Sequence, residues 1–406
     1  DACLAGGQCA TGYGKRGCAE CVSGDFRLGE RCLKCANTSE LVLLLMVVAA
    51  FALVALLVYL NTRTSLSYKF AAAMIGLNSL QITAIYANLS LDWGKFAQTY
   101  FGIISFVNLN FDLASPECTS SSMDVYMFKW WTTMLLPVLF LVPFGVVGGV
   151  AAMIISMRNK KAEARALANE SCEMDEASGS EPLTIGALKD AIVRSYYQLL
   201  VLLYLPLTSM ALTYFGCRKE RDGTWVLDTA PSRTCFNSPY WAVFPFAVVF
   251  FVIYCMAIPL GVFWLLRRKH SDASEGDGMG LVVFQLRYGF LVGRFRDEQY
   301  YFECNIMLRK FAVVFVTTFF FAAEAKANAA VFALAGSLVQ LVLTQPYLAK
   351  FHNVLAVTCL TSCLAVLEGG TFRNGTMRAL VVVTAILINI LAIFVGNAID
   401  LWRIRG

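Results

Sequence analysis

Hydrophobic and polar positions along this chain do not alternate on a helical or strand period. They fall into long apolar blocks separated by short polar stretches. A helix needs about 20 apolar residues to cross roughly 30 Å of hydrocarbon, where its backbone groups must all bond within the segment. Runs of that kind occupy 40–61, 68–90, 125–157, 192–215, 240–266, 306–323, 328–348, 353–371 and 377–401. A tenth run, 96–114, behaves differently. In "FAQTYFGIISFVNLNFDLASPEC" the apolar character is interrupted by Asn108, Asn110 and Asp112 and stops at Ser-Pro-Glu-Cys.

Charge settles how the runs are threaded. The two longest polar linkers, 158–190 and 267–303, carry Arg158, Lys160, Lys161, Arg165, Lys189, Arg267, Arg268 and Lys269 beside membrane ends, and the C-terminal "LWRIRG" adds Arg403 and Arg405. The positive-inside rule places all three in the cytosol. Counting from both ends, residues 96–114 then start and finish on the same side. The expected fold is therefore an all-α polytopic membrane protein with nine transmembrane helices and one re-entrant or interfacial hairpin. Its N-terminus lies outside and its C-terminus in the cytosol, in a plasma or ciliary membrane. The expected units are a Cys-rich extracellular module at 1–38 and three spans at 39–157 with a re-entrant segment at 96–118. A cytosolic linker at 158–191 leads to a six-span bundle at 192–406, which holds an external 217–235 loop and a cytosolic amphipathic segment at 267–305. No signal peptide precedes Asp1, which reads as a processed N-terminus or the start of a fragment.

Composition agrees with this picture: 58% of the 406 residues are hydrophobic and 15% charged, with a mean hydropathy of +0.62. Soluble domains carry about 25% charged residues. The net charge of +5 is accounted for by topology signals and gives no reason to invoke nucleic acid.

Topology then decides the cysteine chemistry. The stretch "CAECVSGDFRLGERCLKC" has the two close pairs of a Cys₄ zinc site. Outside the cell thiols oxidise, so disulfides among Cys3, Cys9, Cys18, Cys21, Cys32 and Cys35 are expected, with any of 15 pairings open. Cys217 and Cys235 flank an external loop that can close on itself. The sequons at Asn37, Asn88 and Asn374 fall on the same outer side as glycosylation candidates.

Polar residues inside spans usually face the bundle interior or a water-filled path. Asn78 and Gln81, in "GLNSLQITAIYANLS", share a helix face and read either as interhelical hydrogen-bonding groups or as path-lining groups. Asn108, Asn110 and Asp112 ring the return of the hairpin if it is re-entrant, and meet water if it lies flat. In "LRYGFLVGRFRDEQYYFECNIMLRKFAVVF", Arg294, Arg296, Arg309 and Lys310 interleave with aromatics, as in an interfacial helix whose cations reach lipid headgroups. Glu303 is placed to pair with Arg309 or Lys310 there. The chain shows no nucleophile–base, P-loop or H-E-x-x-H pattern, so no catalytic residues, cofactor or metal are expected.

The order "LNSLQI", "NLNFDLASPEC", "YMFKWW", "DGTWVLDTAPSRTC", "FECNIMLRK" and "QPY" over about residues 70–350 resembles the TRP-like membrane proteins of fungi, algae and protists, a superfamily with flavin-carrier and polycystin-like members. "GYGKRGCAECVSGDFRLGERCLKC" resembles the last repeat of EGF- or ephrin-receptor-like stalks on protist surface proteins. The first resemblance implies a cation channel, calcium-permeable or stress-responsive. Asn78, Gln81, Asn108, Asn110 and Asp112 would then be pathway groups, with Asp112 supplying cation preference. A non-conducting cell-surface receptor or anchoring subunit is the alternative, and a transporter or lipid mover the third. Expected partners are membrane lipids, cations and an extracellular protein held through the Cys-rich module, within an oligomer or larger assembly.

Overall fold

The computed structural model describes residues 9–14, 18, 20–22, 25–28, 31–35, 39–62, 71–89, 91–108, 124–168, 184–220, 222–275, 288–289, 291–320 and 322–405. The N-terminal module is built from two short hairpins. β1 (Tyr13–Gly14) pairs with β2 (Glu20–Cys21), and β3 (Asp25–Leu28) pairs with β4 (Arg31–Lys34), both antiparallel. Disulfides join Cys9 to Cys18 and Cys21 to Cys32, and Cys35 is disulfide-bonded as well. Cys18 and Cys21 thus go to different partners, and the close pairs do not act as one ligand set. Cys3 and Asn37 lie outside the described residues.

The described residues that follow are mainly helical: α1 (Ser39–Thr62), α2 (Ala71–Ile85), α3 (Lys95–Ile104), α4 (Val125–Leu139), α5 (Leu141–Ala168), α6 (Ile185–Thr213), α7 (Ser238–Phe251), α8 (Ile258–Glu275), α9 (Phe302–Phe319), α10 (Ala323–Thr344), α11 (Lys350–Thr371) and α12 (Gly375–Arg405). Among the described residues, seven helical segments are long and apolar enough to cross a membrane: Leu44–Thr62, Val125–Lys161, Ile185–Thr213, Ser238–Arg268, Ala323–Thr344, Lys350–Thr371 and Gly375–Arg403. The chain is a multi-pass, mostly helical membrane protein. α5 and α6 extend from both sides into the stretch expected as a linker at 158–191, of which 169–183 lies outside the described residues.

Prolines explain where the long segments bend. The third apolar run divides at Phe140 into α4 and α5, between Pro137 and Pro143, each of which removes a helix hydrogen bond. The carbonyl of Pro137 is taken instead by the Tyr196 hydroxyl at 3.1 Å. Between α7 and α8 the helix widens into a π-helical stretch, Val252–Ala257, that stops just before Pro259, whose missing N–H loosens the ladder there. α10 ends on Gln345 in a left-handed conformation (φ 40°), followed by Pro346, which cannot continue a helix.

α2 is short and buried on most sides, as expected of a helix that is apolar all round. It packs against α3, α9, α11 and α12. Glycine permits close approach of α2 and α12: a Cβ at Gly76 would stand 2.8 Å from the Ile393 side chain, and one at Gly396 would stand 3.3 Å from the Ala72 Cβ.

One end of the bundle carries an antiparallel sheet of β5 (Cys217–Lys219), β6 (Trp225–Leu227) and β7 (Ala230–Thr234), closed by the Cys217–Cys235 disulfide. Asp228 forms an ion pair with Arg218, whose Nε lies 3.1 Å away, and accepts from Lys326 Nζ at 2.8 Å, tying the sheet to α10. Arg233 pairs with Asp124, which also caps α4 by accepting from the Met127 amide at 3.2 Å. At the opposite end the segment before α9 pairs with the α10–α11 linker: Phe295 bridges Tyr347, and Arg296 N donates to the Pro346 carbonyl at 2.8 Å.

Candidate functional site

The polar side chains of α2 meet the charged start of α9 inside the bundle. Pro206 in α6 has no N–H to offer the carbonyl four residues earlier, so the Leu202 carbonyl is left over. Gln81 fills the gap, its Nε2 donating to that carbonyl at 2.9 Å. Gln81 Oε1 then accepts from Lys310 Nζ at 2.8 Å, and the Gln81 carbonyl accepts from Asn108 Nδ2 at 3.0 Å. A buried amide spends most of its capacity on three other elements, as buried polar groups must.

Neighbouring groups tie α2 to α11 and α12. Ser79 Oγ donates to Asn389 Oδ1 at 3.0 Å, and Asn389 Nδ2 donates to the Cys359 carbonyl at 3.2 Å. Thr83 Oγ1 donates to the Ser79 carbonyl at 2.9 Å and lies 3.3 Å from Cys363 Sγ. Asn78 is also buried, but its side chain makes no hydrogen bond among the described residues.

The charges are unequal. Arg294 forms a salt bridge with Glu303, their side chains 6% and 1% exposed. Its guanidinium also lies 4.9 Å over the Phe295 ring. Lys310, 2% exposed, has the neutral Gln81 as its hydrogen-bond partner. Arg309 has a buried Nε with no hydrogen-bond partner and no ion pair among the described residues. Arg294, Arg309 and Glu303 all lie close enough to Lys310 to act on it electrostatically. Three basic residues therefore share one carboxylate in this layer. The nearby Tyr347 phenol adds no counter-charge, because burial pushes it up to about 12.

A small cavity opens between α2, α9, α10 and α11. Asn78, Ser79, Arg309, Tyr347, Cys359 and Cys363 supply its polar and sulfur groups. The space open to the centre of a water-sized sphere is about 20 Å³, room for one water or a small ion.

Of the residues singled out in the sequence, Asn78, Gln81 and Asn108 come together here, whereas Asn110 and Asp112 lie outside the described residues. Arg294 and Lys310 are buried among helices, Arg309 is half-buried and lines the cavity, and Arg296 is exposed. Glu303 takes Arg294 as its salt-bridge partner, not Arg309 or Lys310. Asn374 is exposed and its Oδ1 accepts from the Thr376 amide at 3.0 Å, while Asn88 sits in a short 3-10 turn, Tyr86–Asn88. Sequence reasoning missed a second buried set at the other end of α2. Asp400 accepts from the Ala72 amide at 3.0 Å, and its other oxygen lies 3.0 Å from His352 Nε2. An aspartate inside the last apolar run was the available signal.

Comparison with known proteins adds a limited likeness. No family model matches the chain, and no solved structure matches it. The chain is similar to Cysteine repeat modular protein A of Toxoplasma gondii, with 26% identity over 201 residues, or 45% of this chain and 6% of that protein. The matched region thus spans a small fraction of the relative's length.

Proposed function

We propose that this chain is the membrane-embedded part of a surface protein, serving as a non-conducting receptor or anchoring subunit beneath a disulfide-stapled exterior. It crosses the bilayer nine times: the seven long apolar segments together with α2, which is short, and α9, whose charges interrupt its apolar length. The 217–235 sheet and the Cys-rich module lie outside, and the basic ends of α5, α8 and α12 lie in the cytosol. The observation carrying this proposal is the Lys310–Gln81 contact. Ser79, Gln81 and Thr83 of α2 are spent on neighbouring helices, and a cation following that face would meet Lys310 and Arg309 without an equal number of carboxylates. The name of the Toxoplasma relative speaks of cysteine repeats, in keeping with a Cys-rich module set against the membrane.

Cation conduction of the TRP-like kind is the second proposal, supported by the course of the hairpin. Trp93 lies against Gly370 near the end of the bundle that carries the sheet, Asn108 reaches Gln81, and Asp124 returns to that sheet at Arg233. These contacts fit a re-entrant segment, whose turn at 109–123 lies outside the described residues; such a segment survives at membrane depth only when buried or lining a cavity. Potassium and calcium flux into liposomes containing the purified chain separates the two proposals. The subunit reading expects flux no greater than in protein-free liposomes. A protein-dependent flux that changes with Asp112→Asn would replace it with conduction.

A further inference from the structure

We propose that the cavity beside Arg309 is a binding site for a small monovalent anion, a halide taken from the aqueous phase. The first ground is charge. Glu303 is committed to Arg294, a buried ammonium such as Lys310 can shed its proton, and Arg309 has no carboxylate partner among the described residues. An uncompensated buried charge is strongly unfavourable, and a guanidinium cannot shed its proton to escape it. The second ground is geometry. Arg309 lines the cavity and has a buried Nε–H without a partner; Asn78 lines the same cavity with an uncommitted amide, and the Tyr347 phenol is a neutral donor. These are donors without acceptors, converging on a space that lacks a carboxylate. The third ground is size. About 20 Å³ accommodates one water-sized ion and excludes a phosphate or a lipid headgroup.

Bound there, the halide neutralises Arg309 and locks α9 to α2 and α11. This holds whether or not the chain conducts, since it concerns occupancy and not passage. The test is thermal unfolding of the full chain in detergent at constant ionic strength, with sodium gluconate replaced stepwise by sodium chloride or bromide. The expected result is a saturable upward shift of Tm with either halide, no shift with phosphate, and loss of the halide shift in Arg309→Gln. Equal Tm in gluconate and halide, a shift produced by phosphate, or a halide shift retained in Arg309→Gln would each overturn the proposal. Should Arg309→Gln not fold, anomalous scattering from wild-type crystals grown in bromide decides alone. A bromide within hydrogen-bonding distance of Arg309 and Asn78 supports the site, and an unlabelled cavity at saturating bromide rejects it.

Discussion

The sheet at one end of the bundle and the charged layer around Lys310 are both organised by ionic contacts, yet they obey different energetics. At the sheet, Asp228 answers Arg218 and Lys326, Asp124 answers Arg233, and all three pairings are partly open to solvent. Such pairs contribute about 0–1 kcal/mol each, and a covalent link supplies the rigidity. In the buried layer no disulfide is present among the described residues, and the charges are desolvated. There a missing partner is costly, so register between α2, α6 and α9 is enforced by the need to satisfy each group. The sheet end is held by a staple, and the core by polar matching.

The largest expected effect comes from removing the carboxylate that answers Arg294 in the charged layer. Glu303→Gln leaves Arg294 buried and unpaired, and should destabilise the folded chain by about 3–5 kcal/mol in a detergent unfolding titration. Adding Arg294→Met should recover much of that loss. If Glu303→Gln alone is neutral, the layer is wetter than described. Next in size is the staple: Cys217→Ala with Cys235→Ala opens a loop of sequence separation 18 and should cost about 3 kcal/mol, read as a matching fall under reducing conditions in the wild type. Gln81→Leu removes the partner of Lys310 and reopens the Leu202 carbonyl. About 1–3 kcal/mol is expected, with loss of the added penalty when Lys310→Met is combined. Smallest is Asp228→Asn, at under about 1 kcal/mol and fading in 1 M salt, where the screening length is about 3 Å. A loss at Asp228 as large as at Glu303 would erase the contrast between the two regions.

The apolar runs were legible because helices at membrane depth must satisfy their own backbone, so length and hydropathy carry the signal. Pro137, Pro143 and Pro259 lie at the breaks, whereas Pro206 and Pro245 sit inside unbroken helices, so proline alone does not mark them. The partners of Lys310 and Glu303 were not legible. Gln81 is 229 residues from Lys310, and nothing in the amphipathic pattern around Arg294 distinguishes a cation reaching headgroups from one pairing inward. The joining of Cys9 to Cys18 and of Cys21 to Cys32 was equally hidden, because connectivity follows from the hairpins and not from the C-x-x-C spacing. Asn108 was flagged for its polarity, but its acceptor is a backbone carbonyl, which any sequence would provide.

The central claim is that the polar core is closed to bulk water, and native thiols report on it directly. Cys359 and Cys363 are free, buried and line the cavity beside Arg309. The measurement is reaction of the liposome-embedded chain with a charged, membrane-impermeant thiol reagent applied from either side, mapped by mass spectrometry. A closed core predicts that both thiols stay unmodified until the protein is unfolded, even while a halide exchanges. Modification of Cys359 or Cys363 in the folded chain from either face would reveal a wetted path and contradict the account.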